Sequence, residues 1–111
     1  MAVFVIGPTA ANPSVQILGG TVYISTELRS TAGALGTPGT SINIQIMNVD
    51  GSIHTAYAAM TADSTGKYSY LFASGTDESP GSYDVWIRTV DGGVTSIEAF
   101  QAVFTLTGMA A

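Results

Sequence analysis

The chain has 111 residues, the size of one domain, and 46% of them are hydrophobic, which excludes a disordered chain. A formal net charge of −5 with three basic residues argues against a surface that binds nucleic-acid phosphates or an anionic membrane. The chain has no cysteine and one histidine, which excludes a disulfide scaffold and the usual zinc ligand sets.

The N-terminal segment, residues 1–19, is strongly β-forming but is interrupted by Pro8 and Pro13. Because proline is confined to sheet edges, we interpret the segment either as an arm across the body or as a split first strand that switches sheets. It begins with an apolar run that lacks the alternation of a strand with one face in solvent, so both faces of the run should be covered. We therefore predict that this run contacts a second molecule: Val3, Phe4, Val5 and Ile6.

The same segment bears on where the protein is made. It has no basic residue before its apolar run, and that run ends at Gly7, too early for the core of a secretion signal. We therefore expect assembly in the cytoplasm. No apolar run reaches the roughly 20 residues of a membrane span, so no membrane partner is expected.

Period-two alternation of apolar and polar residues dominates residues 20–111, in strand-length segments separated by turn-forming residues. Residues 30–40 are predicted as a surface loop, residues 53–60 as an edge strand, and Asp91-Gly92-Gly93 as a tight hairpin. The pattern predicts an all-β antiparallel sandwich or barrel of about seven strands. Its predicted core residues are Val22, Ile24, Thr26, Leu28, Ile42, Ile44, Ile46, Tyr68, Tyr70, Phe72, Tyr83, Val85, Ile87, Phe100, Ala102, Phe104 and Leu106.

Two motifs resemble those of bacterial and phage immunoglobulin-like domains. One is a D-x-x-G-x-Y hairpin at residues 63–68, and the other is a G-x-Y-x-V element at residues 81–85. The resemblance implies an immunoglobulin-like domain over residues 20–111, preceded by the N-terminal strand or arm. It also implies that Tyr83 forms a tyrosine corner, its hydroxyl bonding to upstream backbone, and that Gly81 permits the close approach there. The paired cysteines of antibody domains are absent, which excludes an antigen-receptor relative.

Candidate catalytic and metal-binding residues are sparse. His54, the one available base, falls on the predicted edge strand and is interpreted as an exposed polar residue. Asp77, Glu78 and Asp84 are close in sequence, but they lack the D-x-D-x-D spacing of a calcium loop, and nothing predicts the cleft that a glycosidase needs. We therefore predict no catalytic residue, no metal and no cofactor.

Trp86 and Tyr23 fall out of phase with the core, so each is either covered by the N-terminal segment or a loop, or is an exposed anchor for a partner. Only 10% of the residues are charged, against roughly 25% in an average domain, so we expect much of the surface to be buried in an oligomer or assembly.

These features and the resemblance favour a non-enzymatic structural protein of a virion, a capsid decoration or accessory protein of a tailed phage, assembled in the host cytoplasm. Its partner would be a capsid or other virion protein, or a second copy of itself. The alternative is an adhesion or carbohydrate-binding module at a bacterial cell surface.

Overall fold

The computed structural model describes residues 4–30, 35–36, 41–91 and 93–108, and of residues 4 and 5 the backbone alone. These residues form ten strands. In this part of the chain, no helix is long and apolar enough to cross a membrane. The strands are β1 (Phe4–Ile6), β2 (Ala10–Asn12), β3 (Val15–Ile17), β4 (Thr21–Ser30), β5 (Ser41–Met47), β6 (Ile53–Ala59), β7 (Thr61–Ser64), β8 (Lys67–Ala73), β9 (Gly81–Asp91) and β10 (Val94–Thr107).

The strands make two five-stranded sheets. In the first sheet, β4 pairs with β8 on one side and with both β1 and β2 on the other, and β7 closes the far edge beyond β8. The second sheet has the order β3-β10-β9-β5-β6. Pairing is antiparallel throughout, except that β3 runs parallel to β10. The predicted all-β antiparallel sandwich is confirmed.

The strand number exceeds the predicted seven for two reasons. The N-terminal segment is divided by its prolines into three short strands, and the Asn12–Pro13 peptide bond between the second and third is cis. After Ala59 the chain also leaves the second sheet, passes through the buried Met60, and joins the first sheet at Thr61. The region predicted as one irregular edge strand is therefore followed by a strand of the opposite sheet.

The N-terminal segment is the split first strand that switches sheets. β1 and β2 pair with β4, and β3 pairs with β10 in the other sheet. Ile6 is 6% exposed and belongs to the core of its own domain, so its interpretation as a contact for a second molecule is wrong. Residues 4 and 5 pair with Ser30 and Arg29 through their backbones, and Val3 lies outside the described residues.

The core lies between the sheets and follows the predicted alternation. Ile24 and Leu28 of β4, Ile44 of β5 and Ile87 of β9 are fully buried. Three aromatic rings meet at the centre, with the parallel rings of Tyr83 and Phe104 5.2 Å apart and Phe72 tilted against both. Burying each of these large side chains contributes about 1.5–3 kcal/mol, so this cluster is a principal source of stability.

Both predicted hairpins are confirmed. Ser64 pairs with Lys67 across the β7–β8 turn, and Asp91 pairs with Val94 across the β9–β10 turn. Gly66 in the first turn has a φ of +72°, and a Cβ there would come within 2.8 Å of Leu35. That position therefore requires glycine, which explains the G of the D-x-x-G-x-Y motif.

The prediction that Ala102 lies in the core is wrong. The pairing of β10 with β9 is interrupted between Phe100 and Phe104 by a bulge, at which Ala102 is exposed and has a φ of 53°. The Ala102 amide donates to Asp84 Oδ1 at 2.8 Å, so Asp84 fixes the bulge. The inserted residues leave the alternation of β10 in phase beyond the bulge, so Phe104 and Leu106 lie on the inner face.

Candidate protein-binding face

The outer face of β9 carries the largest exposed aromatic side chain that the structure describes. Trp86 is 37% exposed, whereas Val85 and Ile87 on either side of it are fully buried. The strand alternates, so the residues on its outer face are Ser82, Asp84, Trp86, Arg88 and Val90. Because β9 is the middle strand of its sheet, Trp86 stands at the centre of a broad surface.

The strands beside β9 add apolar and uncharged side chains around Trp86. Ala99 of β10 and Gln45 of β5 are paired with Trp86 in register, and Ile97, which is paired with Arg88, is exposed. Gln45 is buried although it lies on the outer face, so its neighbours cover it.

Arg88 lies against an aromatic ring on the same face. Its guanidinium carbon is 4.2 Å from the ring centroid of Tyr57 on β6, a cation–π arrangement. Among the described residues, Arg88 Nε and the Tyr57 hydroxyl are buried and have no hydrogen-bond partner. Neither the Arg29–Glu27 ion pair nor the His54–Glu78 contact found there includes Arg88. The guanidinium of Arg88 is therefore held against Tyr57 and forms no ion pair with a described carboxylate.

We call this surface the Trp86 face. It combines the three residue types that carry most binding energy in protein interfaces, tryptophan, tyrosine and arginine, over a sheet with little charge. The sequence allowed two interpretations of Trp86, an exposed anchor for a partner or a residue covered by another part of the chain. In the structure Trp86 is exposed. The Trp86 face consists of Asp84, Trp86, Arg88, Ala99, Ile97, Gln45 and Tyr57.

Tyr23, the other predicted anchor, lies on the outer face of the opposite sheet. It is 38% exposed, and its hydroxyl donates to Asp63 Oδ2 at 2.9 Å, while Ser69 donates to the other oxygen of the same carboxylate. Tyr23 and Asp63 line an open pocket of about 470 Å³ with Glu27 and Lys67. The two predicted anchors are therefore on opposite sides of the sandwich, and they cannot belong to one contact.

Tyr83 and Gly81 lie where the resemblance places them. The Tyr83 side chain is fully buried, and its hydroxyl donates to the carbonyl oxygen of Ser79 at 2.5 Å, four residues upstream, as in a tyrosine corner. Gly81 has a φ of +138°, and a Cβ there would approach Val49 to 3.0 Å. Burial, and then the negative charges of Glu78 and Asp50, raises the pKa of Tyr83 above its ordinary value of 10.0.

His54 has partners that the sequence did not indicate. It was expected to be exposed, but its side chain is 22% exposed and packs on Phe72, with the ring centroids 4.8 Å apart. Its Nε2 lies 2.8 Å from Glu78 Oε1 and its Nδ1 lies 2.7 Å from Thr55 Oγ1. The same order of carboxylate, imidazole and hydroxyl occurs in nucleophilic triads. In this structure the contacts tie β6 to the loop before β9 against the core.

Asp77, Glu78 and Asp84 are not brought together as a cation site. Asp77 and Glu78 line an open pocket of about 530 Å³ beside Asp50 and His54, whereas Asp84 lies on the Trp86 face. Within the described ranges, no group of three or more His, Cys, Asp or Glu side chains is placed to hold a metal ion.

Comparisons with known proteins identify the fold. No protein-family model and no curated protein matches the chain. Among solved structures, the Lin-41 filamin domain matches with a TM-score of 0.56 at 18% identity, over 94% of this chain and 91% of the other. CopC from Methylosinus trichosporium OB3b matches with a TM-score of 0.54 at 20% identity, over 100% of this chain and 98% of the other. The sandwich is immunoglobulin-like, as the resemblance implied.

Proposed function

We propose that this chain is a non-enzymatic interaction domain that binds another protein chain through the Trp86 face. The observation that carries the proposal is the exposed Trp86 beside an arginine that is stacked on Tyr57 and is in no described ion pair. An exposed tryptophan on a flat sheet has a large apolar area to remove from water, and the adjacent arginine supplies polar specificity. The immunoglobulin-like fold is compatible with such a role but does not select it.

The more specific proposal is a structural role in a virion, as a capsid decoration or accessory protein. Its support is the sparse charge, at 10% of residues, and the resemblance of the two motifs to bacterial and phage immunoglobulin-like domains. A bacterial cell-surface module is the alternative, for which the Tyr23 pocket on the opposite sheet offers a possible carbohydrate site.

Site-specific photo-crosslinking tests both levels. A photo-reactive aromatic residue replaces Trp86, and a matched control replaces Leu71, which is 64% exposed on the outer face of the first sheet. With the chain expressed in its own genomic context, we expect a protein adduct at position 86 at least several-fold stronger than at position 71. Mass spectrometry of the adduct then separates a virion protein from a cell-envelope protein.

Two results would contradict the proposal. Equal labelling at positions 86 and 71 would show that the Trp86 face has no special partner. No protein adduct at either position, together with binding of the unmodified chain to immobilised glycans, would instead favour the carbohydrate-binding alternative.

A further inference from the structure

The outer face of β9 carries a self-complementary charge pattern. Asp84, Trp86 and Arg88 occupy successive outward positions, so an acid and a base stand on either side of the tryptophan. Along a strand each is about 6.6 Å from Trp86, in opposite directions. This arrangement presents equal and opposite charges at equal distances from one point.

Both charged groups retain capacity for a partner. Asp84 accepts the Ala102 amide with Oδ1, which leaves its second oxygen outside that hydrogen bond. The Arg88 guanidinium is positioned by Tyr57, and no carboxylate of the described residues pairs with it. Its Nε is buried and takes no part in the proposed contact. A second carboxylate placed over this face would meet an arginine whose orientation is already fixed.

We propose that a second copy of this chain covers the Trp86 face in a symmetric dimer. The two-fold axis would lie between the two faces, about 15° from the perpendicular to β9 for sheets that cross at about 30°, and pass over Trp86. It reverses β9 of one copy against β9 of the other, so that Arg88 of each lies opposite Asp84 of its mate and the two tryptophans meet at the centre. A two-fold contact of this kind uses the same patch on both chains.

The dimensions of the sheet permit this contact. Aligned sheets pack about 10 Å apart and cross at about 30°. At about 6.6 Å from the axis, this crossing displaces Arg88 of one copy sideways from Asp84 of the other by about 3 Å, a distance within the reach of an arginine side chain. Four strands spaced about 4.8 Å apart and ten residues along β9 give roughly 600 Å² for each copy. A total of roughly 1,200 Å² is at the lower limit of stable interfaces, so we expect a weak dimer that dissociates at micromolar concentrations.

This inference rests on the proposed function, because it names the partner of the same face. The experiment uses the purified full chain, whose sole tryptophan is Trp86. Sedimentation equilibrium from low to high micromolar concentration should show a monomer–dimer equilibrium. In parallel, the tryptophan emission should shift to shorter wavelength and become less accessible to acrylamide as the dimer forms.

A charge-swap pair of variants tests the geometry. Arg88→Glu and Asp84→Lys alone should each place like charges opposite one another and weaken dimerisation at least tenfold. When the two variants are mixed, each contact becomes an opposite-charge pair, so a heterodimer should form with an affinity near that of the original chain. Lys67→Glu, on the outer face of the first sheet, is the matched control and should leave dimerisation unchanged.

Asp84→Lys also removes the hydrogen bond to Ala102, so circular dichroism must show that the variant is folded. If it is not, Asp84→Asn replaces it, since the amide oxygen still accepts from Ala102 and the charge is lost; it should weaken dimerisation several-fold. A chain that stays monomeric at several hundred micromolar overturns the dimer. So does a dimer that Arg88→Glu leaves intact. Either result leaves the crosslink at position 86 to decide whether the face binds a different protein.

Discussion

At position 83 a phenylalanine would fill the same space as the tyrosine, so the hydroxyl acts through its hydrogen bond to Ser79. We expect Tyr83→Phe to lower the free energy of unfolding by about 1 kcal/mol or more, because the Ser79 carbonyl loses its donor. Tyr70→Phe is the control, since Tyr70 is half-buried against the same core and its hydroxyl is not among the described donors. Urea denaturation compares the two, and equal midpoints would remove the structural role of the tyrosine corner.

The Trp86 face shows how far the positions of single residues could be inferred from the sequence. Trp86 and Arg88 share the parity opposite to the core residues Val85 and Ile87, so alternation alone places both on the outer face. Tyr57 could not be placed in this way. Its strand, β6, has two register shifts against β5, and each shift changes which face the following residues occupy. The stacking of Arg88 on Tyr57 is therefore a product of bulges that leave no signal in the composition.

At the scale of elements, regular alternation predicted β4, β5 and β9 because each pairs along its length with both faces defined. The bulge in β10 was missed because it inserts residues without changing the parity of Phe100 and Phe104, so the pattern continues through Ala102 unbroken. The sheet to which each N-terminal strand belongs was likewise outside the reach of alternation. Three-residue strands carry too few positions to define a face, and their pairing depends on which edges β4 and β10 leave open.

The N-terminal strand gives an element-scale prediction. Ile6→Ala should destabilise the domain by about 2–5 kcal/mol, because Ile6 of β1 is buried in the core beside β4. Ile17→Ala is the matched control, since Ile17 of β3 is 51% exposed, and it should change stability by less than about 0.5 kcal/mol. Thermal melts of both variants would measure the difference. Deleting residues 1–7 should destabilise the domain further, and a truncated chain as stable as the full one would return the segment to the role of an arm.

Across the whole molecule, a low density of charge leaves stability to burial, with few ion pairs to add to it. The described Arg29–Glu27 ion pair joins neighbouring, partly exposed groups, and such a pair contributes little to stability. The pH dependence that the structure predicts comes from groups that the fold holds uncharged. Those groups are Tyr83 and Tyr68, because burial raises the pKa of both above 10.0.

The expected result is a loss of stability in alkaline solution. At a pH where these tyrosines are ionised in the unfolded chain but neutral in the folded chain, the folded state binds more protons. Unfolding then releases protons, so the free energy of unfolding falls as the pH rises. The contribution of each neutral phenol is complete below pH about 10 and declines above it, by up to about 1.4 kcal/mol per pH unit for each tyrosine until its folded pKa is reached. Urea denaturation between pH 8 and 11.5 measures this slope. Tyr83→Phe should make it shallower, because the phenylalanine at position 83 has no proton to lose. An identical slope in the original chain and in the Tyr83→Phe variant would assign alkaline unfolding to general charge repulsion instead of to the buried Tyr83 hydroxyl.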